Sequence, residues 1–294
     1  MVPSLLLTAA LGLIDPSRPP ATATTVTILY DAFGGGPGLV RDWGFAALIE
    51  YQGKRILFDT GNNAMAFAKN VRRLHVDLTH LDLVIVSHRH SDHTAGLSVV
   101  LRANPRVPIY APREGFGIFG ATVPGTFYRA LPTLPDSMRY FDGVVPDQIH
   151  AGTLWPEAHI ILVDSSLTIA PGIRLVGLVS DAPGTRELRE LSLLLTTPGG
   201  DILVVGCSHP GIERILAARG GTPDTPVRVL FGGLHLVAAP DSLLGPLAER
   251  LHRQWHVTQI APGHCTGEPA FAILQHEFGA DYLYAGLGRR IVVQ

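Results

Sequence analysis

Four apolar segments of this chain each end in a glycine or serine that is closely followed by a histidine. They are LVIVSH, ILVVGCSH, VLFGGLH and QIAPGH, whose histidines are His88, His209, His235 and His264. A single histidine behind a strand is usually an ordinary loop residue. Four such segments favour strands whose ends meet at one edge of a sheet, where α/β proteins form their sites. The pattern therefore predicts an α/β fold with a histidine-rich site at a sheet edge.

The hydrophobic patterns along the rest of the chain predict alternating strands and helices. The segments predicted as strands are 25–31, 45–61 (a hairpin that turns at Gln52–Gly53), 81–87 and 107–112. The segments predicted as helices are 64–74 and 94–103. An irregular insert near 113–159 comes next, and further strand-like segments follow it. This order is typical of a layered α/β protein.

Composition and charge exclude several classes of protein. Hydrophobic residues make up 46% of the 294 residues and charged residues 16%, which excludes a disordered chain. The net charge is −2 and no run of lysine or arginine occurs, so we expect neither nucleic acid nor an anionic membrane surface as a partner. A small molecule is the expected partner. The oligomeric state cannot be read from the sequence.

The N-terminal region is expected to be separate from the folded domain. Residues 4–14 form an apolar run of signal-peptide length, too short to span a membrane, and the ATA of 21–23 offers a cleavage point. No lysine or arginine precedes the run, so a disordered leader is the alternative. We expect 1–23 to be a signal peptide or leader and 24–294 to be one domain. A signal peptide would make the protein periplasmic or secreted; without one it would be cytoplasmic.

The segment SHRHSDHTAG (87–96) carries the strongest chemical signal. His88 and His90 are two residues apart, so an extended segment can turn both rings to one side. Asp92 and His93 come just before a predicted helix, where the chain bends and can serve a second ion. Imidazole and carboxylate groups suit zinc, and they also fit manganese or iron. The segment therefore predicts a site for one or two metal ions.

Three motifs in order resemble the sequence marks of the metallo-β-lactamase superfamily. They are FDTG (58–61), HRHSDH (88–93) and APGHCTG (261–267). The resemblance implies an αββα sandwich with a one- or two-metal site at one edge. GCSHPGI (206–212) and GGLHL (232–236) further resemble a branch of dihydropterin-ribofuranosylaminobenzene-phosphate synthase-like metal-dependent hydrolases.

The resemblance also implies roles for individual residues. The ligands that it implies for the first metal are His88, His90 and His209, and those for the second are Asp92, His93 and His264. Asp59 of FDTG would hold the ligand loop in place through hydrogen bonds.

The sequence departs from the common superfamily pattern at one step. Many members have a bridging aspartate in a Gly-Asp step, where this chain has Gly206–Cys207. Cys207 is then a thiolate ligand, a neighbour of the ligands or a buried core residue, and we favour the neighbouring position. Asp181 is a weaker candidate for the missing carboxylate. Whether Cys207 pairs with Cys265, the other cysteine, stays open.

The implied ions point to hydrolysis. Metal-bound hydroxide would attack an ester, lactone, amide or phosphodiester, with Asp92 orienting the nucleophile. His235 would bind substrate, donate a proton or replace a ligand. The insert contains several aromatic residues, among them Phe116, Phe119 and Trp155. They form either a lid or wall for the substrate or an ordinary packed segment of the chain.

Three alternatives to hydrolysis are weaker. The branch name implies transfer chemistry that joins a pterin carbon to a ribofuranosylaminobenzene phosphate. A di-iron redox protein would typically have Glu in place of His90 and a flavin domain, and the chain has neither. A non-catalytic metal-binding protein would not need Asp59 or the several shaped loops. The sequence does not identify the substrate.

Overall fold

The computed structural model describes residues 23–114, 119, 122–127, 131–133, 135–144, 146–150, 154–220 and 225–293. The strands are β1 Thr24–Tyr30, β2 Ala46–Tyr51, β3 Lys54–Phe58, β4 Leu83–Ile85, β5 Ile109–Pro112, β6 Thr122–Pro124, β7 Gln148–His150, β8 Ile160–Val163, β9 Leu167–Ala170, β10 Ile173–Val179, β11 Arg189–Thr197, β12 Gly200–Val205, β13 Val227–Gly233, β14 Val257–Gly263 and β15 Arg290–Val293. The helices are α1 Ala64–Arg73, α2 Ser91–Thr94, α3 Leu97–Ala103, α4 Ile212–Ala218, α5 Asp241–Glu249 and α6 Glu268–Phe278.

The strands form two large sheets and one small one. The first has seven strands in the order β15-β1-β2-β3-β4-β5-β8, and the second has six in the order β14-β13-β12-β11-β10-β9. The small sheet pairs β6 with β7 in the insert. The first sheet contains an antiparallel hairpin of β2 and β3, which turns at Gln52 (φ 47°) and Gly53 (φ 78°). This hairpin was predicted from the sequence and is confirmed.

Three apolar clusters show how the layers pack. The first lies between the sheets and joins side chains of β1–β3, such as Val26 and Phe58, to side chains of β11–β13, such as Leu193 and Phe231. The second contains Phe67 of α1 and Leu97 of α3 together with the other face of the first sheet. The third packs α4, α5 and α6 on the other face of the second sheet. The predicted αββα sandwich is therefore confirmed, and each sheet is buried on both faces.

Parallel strands bring the site segments to one edge. β3 and β4 are parallel, and so are β12, β13 and β14. The carboxyl ends of parallel neighbours meet at the same edge of a sheet, so the segments that follow β4, β12 and β14 gather there. Gly232 makes the close approach of β13 possible. Its φ is 108°, and an added Cβ would lie 1.9 Å from the Val205 carbonyl oxygen.

The insert contributes to the core through two of its aromatic side chains. Phe119 is buried in the second apolar cluster, between the first sheet and its helices, and Trp155 packs against that cluster. Their rings stack with centroids 6.3 Å apart. Both side chains therefore belong to an ordinary packed segment of the chain, the second of the two expectations for the insert. Phe116, like residues 1–22 of the predicted leader 1–23, lies outside the described residues.

None of the helices in the described ranges has the length and apolar character needed to cross a membrane.

Candidate metal centre

Asp59, the residue directly after β3, anchors the segment that follows β4. The buried Asp59 carboxylate accepts hydrogen bonds from the backbone N–H of Ser87 and from its hydroxyl, both at 2.7 Å. It also lies 2.7 Å from the ring Nδ1 of His93, which leaves Nε2 of that ring facing Cys207 and Asp92. Burial lowers the pKa of His93, but the Asp59 and Asp92 carboxylates outweigh it and raise the pKa to about 9. Asp59 thus fastens the segment that follows β4 to the end of β3.

The first histidine cluster contains His88, His90 and His209. His88 Nε2 lies 3.1 Å from His90 Nδ1. The ring centroid of His209 is 4.7 Å from that of His88 and 4.9 Å from that of His90. Burial and the neighbouring imidazoles lower the pKa of His88 well below its ordinary value. A neutral imidazole keeps the lone pair that a metal ligand needs.

Glu190 fixes the loop that carries His209. Its buried carboxylate accepts backbone N–H hydrogen bonds from Cys207 at 3.0 Å, Ser208 at 2.7 Å and His209 at 2.9 Å. It also contacts the ring Nδ1 of His209 at 3.0 Å. Burial alone would raise the pKa of Glu190, but His209 and the backbone donors lower it. Glu190 was not predicted from the sequence, where its only signal is an acidic side chain at the start of the strand segment RELSLLLTT.

The second cluster contains Asp92, His93 and His264. Asp92 Oδ2 lies 3.2 Å from His264 Nε2 and 3.8 Å from His93 Nε2. Asp31, just behind β1, accepts a hydrogen bond from the His264 backbone N–H at 3.0 Å. Burial raises the pKa of Asp31 to about 7. Asp31 was also missed from the sequence, where nothing links it to a residue more than 200 positions away.

His264 has an orphaned ring. Within the described part of the chain, Nδ1 of this buried ring has no partner, and Nε2 has only the Asp92 carboxylate at 3.2 Å and no aligned hydrogen bond. Buried polar atoms nearly always have a partner, so this ring beside a carboxylate indicates a missing one. A divalent cation fits this place, and the surrounding imidazole, carboxylate and thiol groups are ligands for zinc or iron.

Cys207 lies between the two clusters. Its Sγ is 3.2 Å from His93 Nε2. The ligand atoms of His88, Cys207 and His209 lie within 4.8 Å of one another, and so do those of His93, Cys207 and His264. Burial raises the pKa of the Cys207 thiol well above its ordinary value. Both Cys207 and Cys265 are free thiols in this structure.

Asp181 is not part of the site. Its side chain is 79% exposed and pairs with Arg214 at 2.6 Å. Its selection as the missing carboxylate was wrong. The residue follows β10 at the correct edge, but its side chain turns outward to an arginine of α4.

His235 and Trp43 line the open side of the clusters. The exposed His235 has its ring centroid 4.3 Å from that of His209. A hydrogen bond with Cys265 raises the pKa of His235. The Trp43 ring lies 4.8 Å from the His264 ring and the side chain is 44% exposed. Trp43 was not among the site residues predicted from the sequence.

Comparison with known proteins supports the same architecture. Residues 54–127 match the model of the β-lactamase superfamily domain. The chain is 29% identical, over 88% of its length and 94% of the relative's, to 7,8-dihydropterin-6-methyl-4-(β-D-ribofuranosyl)-aminobenzene-5′-phosphate synthase of Methanocaldococcus jannaschii. This relative carries the branch name that the motifs indicated.

Two solved structures are similar over most of their lengths. A metal-dependent hydrolase of the β-lactamase superfamily superimposes with a TM-score of 0.67 at 24% identity, covering 92% of this chain and 99% of that one. A diphosphatase of the PhnP family superimposes with a TM-score of 0.54 at 15% identity, covering 92% and 97%. These likenesses extend over nearly the whole chain and concern the fold.

Proposed function

Because this chain is a metallo-β-lactamase-fold protein, we propose that it is a metal-dependent hydrolase of an ester, lactone, amide or phosphodiester in a small molecule. One observation carries the proposal. Two clusters of ligand-type side chains lie side by side at one sheet edge, and in one of them the buried His264 ring has no hydrogen-bond partner for either nitrogen. Burying such polar side chains without hydrogen-bond partners costs folding free energy, unless a bound cation supplies the missing interactions.

The clusters define which residues would hold the ions. The first ion would be held by His88, His90 and His209, and the second by Asp92, His93 and His264. When bound, such ions lower the pKa of water and polarise a carbonyl or phosphoryl oxygen. Zinc suits these donors best, with iron or manganese as alternatives.

Side chains of the protein would supply the remaining roles in the reaction. Asp92 is partly exposed, so its carboxylate can accept a hydrogen bond from the attacking water and orient it. His235, exposed beside His209, is placed to donate a proton to the leaving group. Asp59, Glu190 and Asp31 hold the three ligand-bearing segments.

The test is hydrolysis by the purified full chain after chelation and after reloading with zinc. The panel would contain chromogenic esters, lactones, phosphodiesters and a cephalosporin. We expect turnover of one class, lost on chelation, restored by zinc and absent when His88 and His90 are both changed to Ala. His276→Ala is the matched control, because this histidine is exposed on α6. Turnover that survives chelation or the double substitution would refute the proposal.

A second candidate function follows from the 29% identical synthase. Joining of a pterin to a ribofuranosylaminobenzene phosphate would be assayed with the same protein by product mass. Formation of that product, with no hydrolysis of any panel member, would replace the hydrolase proposal.

A further inference from the structure

The position of Cys207 distinguishes this site from two separate histidine clusters. Cys207 belongs to three groups of ligand atoms: one with His88 and His209, one with His93 and His264, and one with His235 and Cys265. Its buried side chain therefore faces imidazole nitrogens from two sides, which is not the environment of a cysteine that packs in an apolar core. A single sulfur atom is close to both clusters.

No carboxylate of the described residues takes that central place. Asp92 contacts the second cluster, where it lies near His93 and His264. Asp59 and Glu190 are bound to backbone donors and ring Nδ1 atoms behind the clusters. Asp181 faces solvent. Of the two thiols, Cys265 is grouped with His235 and Cys207 alone, whereas Cys207 is grouped with members of both histidine clusters. The described group that lies between the clusters is thus the Cys207 thiol.

We propose that Cys207 supplies a thiolate shared by the ions of both clusters, in the place where a bridging carboxylate would stand. On binding, the thiol gives its proton to solvent and the sulfur takes up the bond to metal. This inference rests on the metal site of the proposed function. It adds a selectivity: a shared thiolate favours zinc, cobalt or iron over magnesium and manganese, which prefer oxygen ligands. The orphaned ring of His264 beside the sulfur independently indicates that a cation belongs there.

Cobalt(II) provides the test, because a cobalt–thiolate bond gives a charge-transfer absorption in the near ultraviolet. The chelated full chain would be titrated with Co²⁺, and bound metal measured by elemental analysis in parallel. A shared thiolate predicts that the absorption grows with both the first and the second equivalent. It predicts loss of the absorption in Cys207→Ser and its retention in Cys265→Ser. Cys265→Ser is the comparison that separates the two thiols, since Cys265 Sγ lies within 4.8 Å of the Cys207 sulfur and of a His235 ring nitrogen but belongs to neither histidine cluster.

A second variant keeps the test decisive if the serine variant does not fold. Cys207→Asp restores the carboxylate, and we expect it to bind both ions without the absorption. We also expect its preference for Zn²⁺ over Mn²⁺ to fall at least about tenfold.

The possible failures are distinguishable. Cobalt bound by the wild-type chain without the absorption, or with an absorption that disappears only in Cys265→Ser, would overturn the shared thiolate and leave the hydrolase proposal standing. Growth of the absorption with one equivalent alone would overturn the sharing. No cobalt bound to the folded wild-type chain would overturn both proposals.

Discussion

Glu190 contacts His209 twice, accepting its backbone N–H at 2.9 Å and lying 3.0 Å from its ring Nδ1. The two contacts fix both the position of the loop and the orientation of the ring. Because Nδ1 is engaged, Nε2 is the nitrogen left for the first cluster. Asp59 has the same relationship to His93, with its carboxylate 2.7 Å from Nδ1. Two buried carboxylates thus set the direction of two candidate ligands.

Replacing Glu190 is expected to weaken metal binding. Glu190→Ala leaves three backbone donors and one ring nitrogen without their acceptor, and we expect metal affinity to fall about 10- to 100-fold. Glu190→Gln keeps one acceptor oxygen, so its loss should be smaller. Competition with a chromogenic chelator measures both. Glu249→Gln, which changes a carboxylate on the exposed side of α5, is the control. Equal affinity in Glu190→Ala and the wild type would contradict this role.

Substitution of Gly44 is expected to disturb the second cluster. Its φ is 138°, and an added Cβ would lie 2.4 Å from the Asp92 carbonyl oxygen. Gly44→Ala should cost about 3 kcal/mol or more in the free energy of unfolding, through strain and overpacking. Gly53→Ala is the control, since its φ is 78° but no atom lies within 4 Å of the added Cβ. It should cost about 1 kcal/mol. Urea denaturation measures the free energy of unfolding of both variants. An equal loss of stability in the two would contradict the steric explanation.

Trp43 is expected to contribute to substrate binding and not to metal binding. The ring stands over His264 and is 44% exposed, so it offers a flat apolar face at the cleft. For a substrate with an aromatic group, Trp43→Ala should raise KM about three- to tenfold, and Trp43→Phe should preserve most of the affinity. Metal content, measured on the same samples, should stay at the wild-type level. A fall in kcat with unchanged KM would argue against this role.

The buried pair Arg219–Asp201 is expected to matter for stability alone. Nη1 and Oδ2 are 3.1 Å apart, and each side chain is 6% exposed. Removing one charge leaves the other buried without a counter-charge, so Asp201→Asn should cost about 3–5 kcal/mol in the free energy of unfolding. The exposed pair Arg253–Glu249 provides the comparison, and Glu249→Gln should cost at most about 0.5 kcal/mol. Thermal denaturation tests this, and a loss under 1 kcal/mol for Asp201→Asn would contradict it.

The layered fold could be predicted because its signals are local. Continuous apolar runs mark strands buried on both faces, and the Gln52–Gly53 turn marks the hairpin. The convergence of His88, His209 and His264 also followed from sequence, because each one comes just behind such a run.

The supporting groups could not be predicted, because their partners are set by strand pairing. Asp31 holds His264 from the opposite end of the chain, and Glu190 reaches His209 only because β11 pairs with β12. The same limit explains Asp181, whose place at the correct edge said nothing about the direction of its side chain. The contact of Cys207 with His93 likewise joins two segments that follow strands of different sheets, β12 and β4, so the sequence left the role of Cys207 open.

Elemental analysis of the purified chain, before and after reloading with zinc, tests the metal centre most directly. The wild-type chain is expected to hold about two ions once reloaded, as in other two-metal sites. The variant with His88 and His90 changed to Ala is expected to lose the first ion, and His276→Ala should match the wild type. A folded wild-type chain that binds no zinc, iron or manganese above the level of the double variant would contradict the account.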